Sequence, residues 1–196
     1  MFQEGFPLYL RNDVIMVVNY IEKASSRLIS IGITEHHIQY SVHGDIIKFP
    51  DRMYYNDIPE LDYQDMSLEQ KMILHCIFSR NCDGYVRQKH LCLLLLMDYE
   101  DWVIPYIVKL CDEYVIEILD MTYSILCNKD NGRVMQFCYE NVESFCKSYA
   151  RMISYWNEFY RDRCYNFHEY IGRRLFRECF GYTRSLERLI IKHSLN

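Results

Sequence analysis

From Ser67 to Gly132 the chain is a succession of apolar runs at helical spacing, separated by breaks of only a few residues. No other feature constrains the fold as strongly. Apolar positions that recur every three or four residues line one face of a helix. Met72, Ile73, Leu74, Ile77 and Phe78 make the first such face. Ser67 and Gln70 open it as a capping box, in which side chain and backbone satisfy each other's orphan groups. That pattern stops near Asn81, and Asp83-Gly84 caps a second helix reaching Met97. Asp101 opens a third through Leu110, and a fourth runs from about Glu113 to Leu126 before the break that ends at Gly132. Connections this short turn consecutive helices back on one another, so they lie antiparallel.

The flanks follow the same logic. Val14, Ile15, Val17, Val18, Ile21, Leu28 and Ile29 predict a first helix from about Asn12 to Ile31, with Gly32 as its stop. Residues 38–42 and 46–50 alternate and are β-branched, and His43-Gly44-Asp45 between them is turn chemistry, so a hairpin is expected. Pro50, Pro59 and the acids Asp51, Asp57, Glu60, Asp62 and Asp65 make 50–66 an acidic connector. After Gly132 a long helical pattern continues to about Arg163, with further helices around Gly172 and Gly181. The expected fold is all-α, mainly helical, with a small N-terminal β-hairpin. Its three segments are 1–66 (helix, hairpin, connector), 67–130 (helical repeat pair) and 131–196 (helical cap).

A weak repeat of 29 residues aligns Asp83-Gly-Tyr-Val86 with Asp112-Glu-Tyr-Val115. The segment Asp83-x-x-Val86-Arg87 with Leu91 and Leu94, followed by Trp102-Val-Ile-Pro105 and Asp112-x-x-Val115, resembles the HEAT-repeat pattern. The resemblance covers about 68–127 and implies a short antiparallel helix stack of the kind that binds other macromolecules on an extended surface. Arg87 is replaced by Ile116 in the second unit, and the small residue expected inside each second helix is His90 in one and Leu119 in the other. Residues 73–88 are also similar to bacterial proteins of uncharacterised function, which implies no mechanism.

Chemistry-bearing motifs are sparse. His75, Cys76, Cys82, His90 and Cys92 fall within 18 residues, but the paired C-x-x-C spacing that zinc favours is missing. Most of the nine cysteines sit in apolar helical patterns and read as buried, reduced thiols. Cys164 and Cys179, near several arginines, come closest to a reactive setting, without the turn or oxyanion loop a nucleophile needs. A glycine-rich phosphate loop, a G-x-S-x-G turn and an H-E-x-x-H helix are all missing. The expectation is a non-enzyme that needs no cofactor or metal. The N-terminus has no basic start, long apolar run or cleavage site, so a cytoplasmic protein without membrane segments is expected.

Charge is unevenly placed. Residues 1–150 carry 13 Lys/Arg against 22 Asp/Glu, whereas 151–196 carry 9 against 5. An acidic surface of Glu113, Glu117, Asp120 and Tyr123 on the fourth helix suits an electrostatically steered protein partner. The basic, aromatic-rich end holding Arg161, Arg163, Arg173, Arg174 and Arg177 suits pairing with the protein's own acidic helices or with a second copy. Phosphate contact is the lesser reading. The function expected is a protein-interaction or adaptor module. Its rivals are a nucleic-acid-acting HEAT-like protein and a small inhibitory or toxin-neutralising protein.

Overall fold

Ser67 caps the helix that follows it as its sequence predicts. Its hydroxyl accepts from the Gln70 backbone N–H, and the Gln70 side chain accepts from the Ser67 N–H in return. The computed structural model describes residues 2–25, 32–59 and 63–187. It is mainly helical, with two small antiparallel strand pairs. The chain divides into two compact units, Met1–Tyr106 and Ile107–Asn196.

The first unit opens with short 3-10 turns at Gln3–Gly5 and Leu8–Leu10, which lead into α1 (Arg11–Ser25). Val14, Val17 and Ile21 form its buried stripe at helical spacing. The rest of the predicted first helix, 26–31, lies outside the described residues. Strands β1 (Gly32–Ile33) and β4 (Met53–Tyr54) pair, as do β2 (His37–Val42) and β3 (Asp45–Pro50), the last two in the predicted hairpin with Tyr40 opposite Ile47. Its turn needs two residues at positive φ, supplied by His43 (52°) and Gly44 (90°).

Helices α2 (Leu68–Phe78) and α3 (Gly84–Leu96) pack together, and Asp83 caps α3 by accepting from the Tyr85 N–H. The turn between them is tied to the strands. Arg80, fully buried, donates to the Asp51 carbonyl, while the Met53 N–H donates to the Arg80 carbonyl and the Cys82 N–H to that of Met53. Arg87 donates to the carbonyls of Asn81 and Cys82, closing the turn from the other side. Helix α4 (Ile104–Leu110) follows a 3-10 turn at Asp101–Val103, and Pro105 sits in its first turn, where its missing N–H costs nothing.

The second unit holds α5 (Ile116–Leu126), α6 (Gly132–Glu140), α7 (Val142–Tyr155) and α8 (Ile171–Arg174). The long helical pattern after Gly132 is two helices, because the backbone leaves the helical region at Asn141 (φ −115°, ψ 37°), whose side chain donates to the Phe137 carbonyl. Helices α7 and α8 each run on into a π-helical turn, Trp156–Tyr160 and Leu175–Cys179. A side chain at Gly172 would strike Tyr170, Met152 and Leu119 at 2.7–3.2 Å, so glycine lets α8 approach its neighbours. Aromatic stacking fills the core beside it, Tyr149 on Tyr182 at 3.5 Å and Phe145 on Phe176 at 5.6 Å. Between residues 86 and 119, Leu91, Leu94, Ile104, Ile107, Leu110, Ile118 and Leu119 are buried, whereas Val86 and Val115 are half-exposed.

Candidate functional site

A wide concavity lies in the first unit and is built from its least regular parts. The Phe6-Pro7-Leu8-Tyr9 stretch, the hairpin from Val42 to Lys48 and Glu100-Asp101-Trp102 enclose a groove of about 1080 Å³. Phe6 and Trp102 line its floor, and an aromatic stack backs them. Phe6 meets Trp102 edge-on at 5.6 Å and lies parallel to Tyr106 at 5.6 Å, and Tyr106 stacks on Phe49 at 4.1 Å. The Tyr106 hydroxyl donates to the Gly5 carbonyl at 2.8 Å, which fixes the N-terminal turn over the stack.

The walls are mostly apolar and the rim is charged. Leu8 (82% exposed), Tyr9 (73%) and Ile46 (57%) stand out into solvent around the mouth, although burying such side chains would be favourable. On the rim, His43 Nε2 and Asp101 Oδ2 are 2.6 Å apart and Lys48 faces Glu4 at 3.7 Å. Arg11 also lines the groove, its backbone N–H donating to the Leu8 carbonyl. An apolar trough with a mixed-charge rim takes up an apolar body and orients it by its ends.

The acidic surface expected on the fourth helix is only partly assembled. Glu117 and Asp120 are exposed, but Glu113 is buried (5% exposed), which corrects its assignment to a partner surface. Helix α5 starts at Ile116 rather than Glu113, and the preceding turn is drawn inward by Asp112, whose carboxylate takes Lys109, Ser148 and Arg151. Tyr123 is half-buried and already engaged. The Arg174 guanidinium lies 4.5 Å over its ring, and its hydroxyl is hydrogen-bonded to Glu178 and to Arg174. That hydrogen bond from Tyr123, with Arg174 beside it, holds the Glu178 carboxyl below the usual carboxylate range.

The structure thus brings together Tyr123 and Arg174, which the sequence assigned to separate surfaces. Of the other arginines, Arg161 lies over Trp156 and Tyr165, and Arg173 over Phe167. Arg163 and Arg177 are exposed and make no ion pair among the described residues. His90 is fully buried. The nine cysteines are free thiols, and burial pushes those of Cys76, Cys111 and Cys138 far up and that of Cys179 to about 12. Among the described residues no three His, Cys, Asp or Glu side chains are grouped to hold a metal ion, and no helix is long and apolar enough to cross a membrane.

Comparison of the chain with protein-family models, with curated proteins and with solved structures gives no match.

Proposed function

We propose that the protein is a non-catalytic binding module that receives an apolar stretch of another polypeptide in the groove of its first unit. The observation that carries this reading is the exposure of Leu8, Tyr9 and Ile46 around the mouth of a groove of about 1080 Å³. A small molecule is served by the trough alone, whereas a polypeptide needs apolar contact on both sides of it. The rim charges His43–Asp101 and Lys48–Glu4 suit the polar backbone and flanking side chains of such a segment.

The adaptor role expected from the repeat pattern agrees with this placement. The same reading treats α2 and α3 as one HEAT-like helical unit, supported by the Asp83 cap and the Arg87-closed turn. The rival surface on α5 retains Glu117 and Asp120 but not Glu113, and its tyrosine is occupied within the chain. Arg174, likewise satisfied by Tyr123 and Glu178, favours internal pairing of the basic end over a nucleic-acid role.

Panning of a random peptide library against the whole chain tests the proposal. Trp102, on the floor of the groove, is the reporter. Enriched peptides should be apolar at their centres and should shift Trp102 fluorescence in a Trp156→Phe background. Binding should fall at least about tenfold in a Leu8→Asp/Ile46→Asp variant, the loss of roughly 1.4 kcal/mol of contact. Peptides that bind this variant as well as the parent, without changing Trp102, would overturn the proposal.

A further inference from the structure

A second arrangement in the first unit is independent of the groove. Asp57 lies at one end of a buried chain of side chains. Its Oδ1 accepts from His90 Nε2 at 2.8 Å and from the Ile58 backbone N–H at 2.9 Å, and its Oδ2 accepts from Lys89 Nζ at 2.7 Å. His90 is fully buried, stacked on Phe78 at 4.8 Å, and its Nδ1 lies 2.8 Å from Nδ1 of His75. His75 is itself only 4% exposed.

The direction of every hydrogen bond in this chain follows from its first member. Burial alone would raise the Asp57 carboxyl, but its bonds from Lys89 and His90 outweigh that and hold it below the usual range. It is therefore an anion that only accepts, and His90 Nε2 carries a hydrogen. Burial also keeps both imidazoles neutral, pushing His90 below its ordinary value and His75 down to about 3, where the neighbouring His90 adds to the effect. A neutral imidazole has one N–H. His90 Nδ1 must then accept, His75 Nδ1 must donate, and His75 Nε2 is left with a lone pair.

That nitrogen makes no hydrogen bond among the described residues, and His75 lines a half-open cavity of about 220 Å³ with Tyr63, Gln64, Lys71, Leu93 and Met97. We propose that this cavity is a binding site for small phenol-like molecules, whose hydroxyl donates to His75 Nε2 while the ring packs against Tyr63, Leu93 and Met97. Each part of the ligand class answers a feature of the site. An acceptor held in fixed polarity selects a donor and rejects a carbonyl. The apolar side chains select a flat hydrocarbon body, with thioether and ring in favourable contact. Lys71, whose ammonium donates to the Gln64 carbonyl at 2.6 Å and has two further hydrogens, favours an oxygen that carries partial negative charge. The volume lies below that of drug-sized pockets and suits one substituted ring. Asp57 and His90 are positioning residues that hold His75 in the less common tautomer.

Long-range proton–nitrogen NMR on the whole chain with isotope-labelled histidine tests this, with para-cresol as the probe. His75 should be neutral, protonated at Nδ1 and bare at Nε2, and the probe should move the His75 Nε2 resonance while leaving the exposed His36 and His168 unmoved. Asp57→Asn, which removes the anion that sets the polarity, should weaken the probe about tenfold, the worth of one hydrogen bond. Leu93→Phe, which fills the cavity from a half-exposed position, should abolish probe binding and leave both tautomers unchanged. A hydrogen found on His75 Nε2 would overturn the proposal, as would a probe that leaves His75 unmoved or that binds Leu93→Phe like the parent. The tautomer measurement and the Leu93 variant decide the matter even if Asp57→Asn fails to fold.

Discussion

Asp112 in the second unit and Asp57 in the first each organise a set of hydrogen-bond donors, and the two sets end differently. Around Asp112, which is 1% exposed, Lys109 reaches one oxygen at 2.8 Å and Ser148 the other at 2.8 Å, with Arg151 at 3.4 Å. Ammonium and guanidinium groups only donate, and nothing among the described residues donates on to the Ser148 hydroxyl, so the polarity stops with them. Around Asp57 two of the links are imidazoles, each with a donor at one nitrogen and an acceptor at the other, so the polarity is handed on until it surfaces at a cavity. A buried carboxylate is therefore no guide to function by itself. What matters is whether its partners end the hydrogen-bond chain or extend it.

The largest effect expected of this contrast is in the closed set. Asp112→Ala should cost about 3–5 kcal/mol in urea unfolding, since it removes a buried carboxylate that takes Lys109, Ser148 and Arg151 together. A loss under about 1 kcal/mol would mean that Lys109 is satisfied without it and the set is not closed. The extended set should instead show itself in acid. Unfolded imidazoles titrate at their ordinary value of 6.5, whereas His75 in the folded chain stays neutral down to about 3 and His90 is also held low. Between those limits the unfolded chain binds protons that the folded one does not, so stability present above 6.5 is lost as pH falls. Each pH unit in that window removes up to about 1.4 kcal/mol per imidazole. Lowered carboxyls such as Glu178 add their loss only further down, below the ordinary carboxylate value. Urea unfolding followed at Trp102 in a Trp156→Phe background should therefore show a lower midpoint at about pH 5 than at about pH 7. An unchanged midpoint would contradict the neutral pair. Smallest is the local reference, Ser67→Ala, which removes a cap and should cost about 1 kcal/mol by the same titration. A cost near that of Asp112→Ala would erase the distinction between local and network terms.

What the sequence made legible was local. The capping box at Ser67, the Asp83 cap, the hairpin at His43-Gly44 and Pro105 in its first turn all rest on residues a few positions apart, and each is present. The break at Asn141 was missed because apolar spacing runs through it, and the bond from its side chain to Phe137 is not a sequence signal. Glu113 was misplaced for a tertiary reason, the pull of Lys109, Ser148 and Arg151 on its neighbour Asp112. His75 and His90 were noticed as possible metal ligands, but their link to Asp57 spans the connector and two helices, a separation no periodicity encodes. The groove left one trace that went unused. Phe6-Pro7-Leu8-Tyr9-Leu10 is an apolar run without helical or alternating spacing, and half of what it presents stays outside the core.

The central claim, that binding belongs to the groove of the first unit rather than to the acidic face of α5, is tested most directly by calorimetry on one enriched peptide. Titrations would compare the parent, Leu8→Asp/Ile46→Asp and Glu117→Lys/Asp120→Lys at several temperatures. Burial of apolar surface predicts a negative heat-capacity change in the parent. The account predicts that the first double variant loses at least about tenfold in affinity and most of that heat-capacity change, while the second stays within about twofold of the parent. Loss of binding in Glu117→Lys/Asp120→Lys with Leu8→Asp/Ile46→Asp unaffected would contradict it.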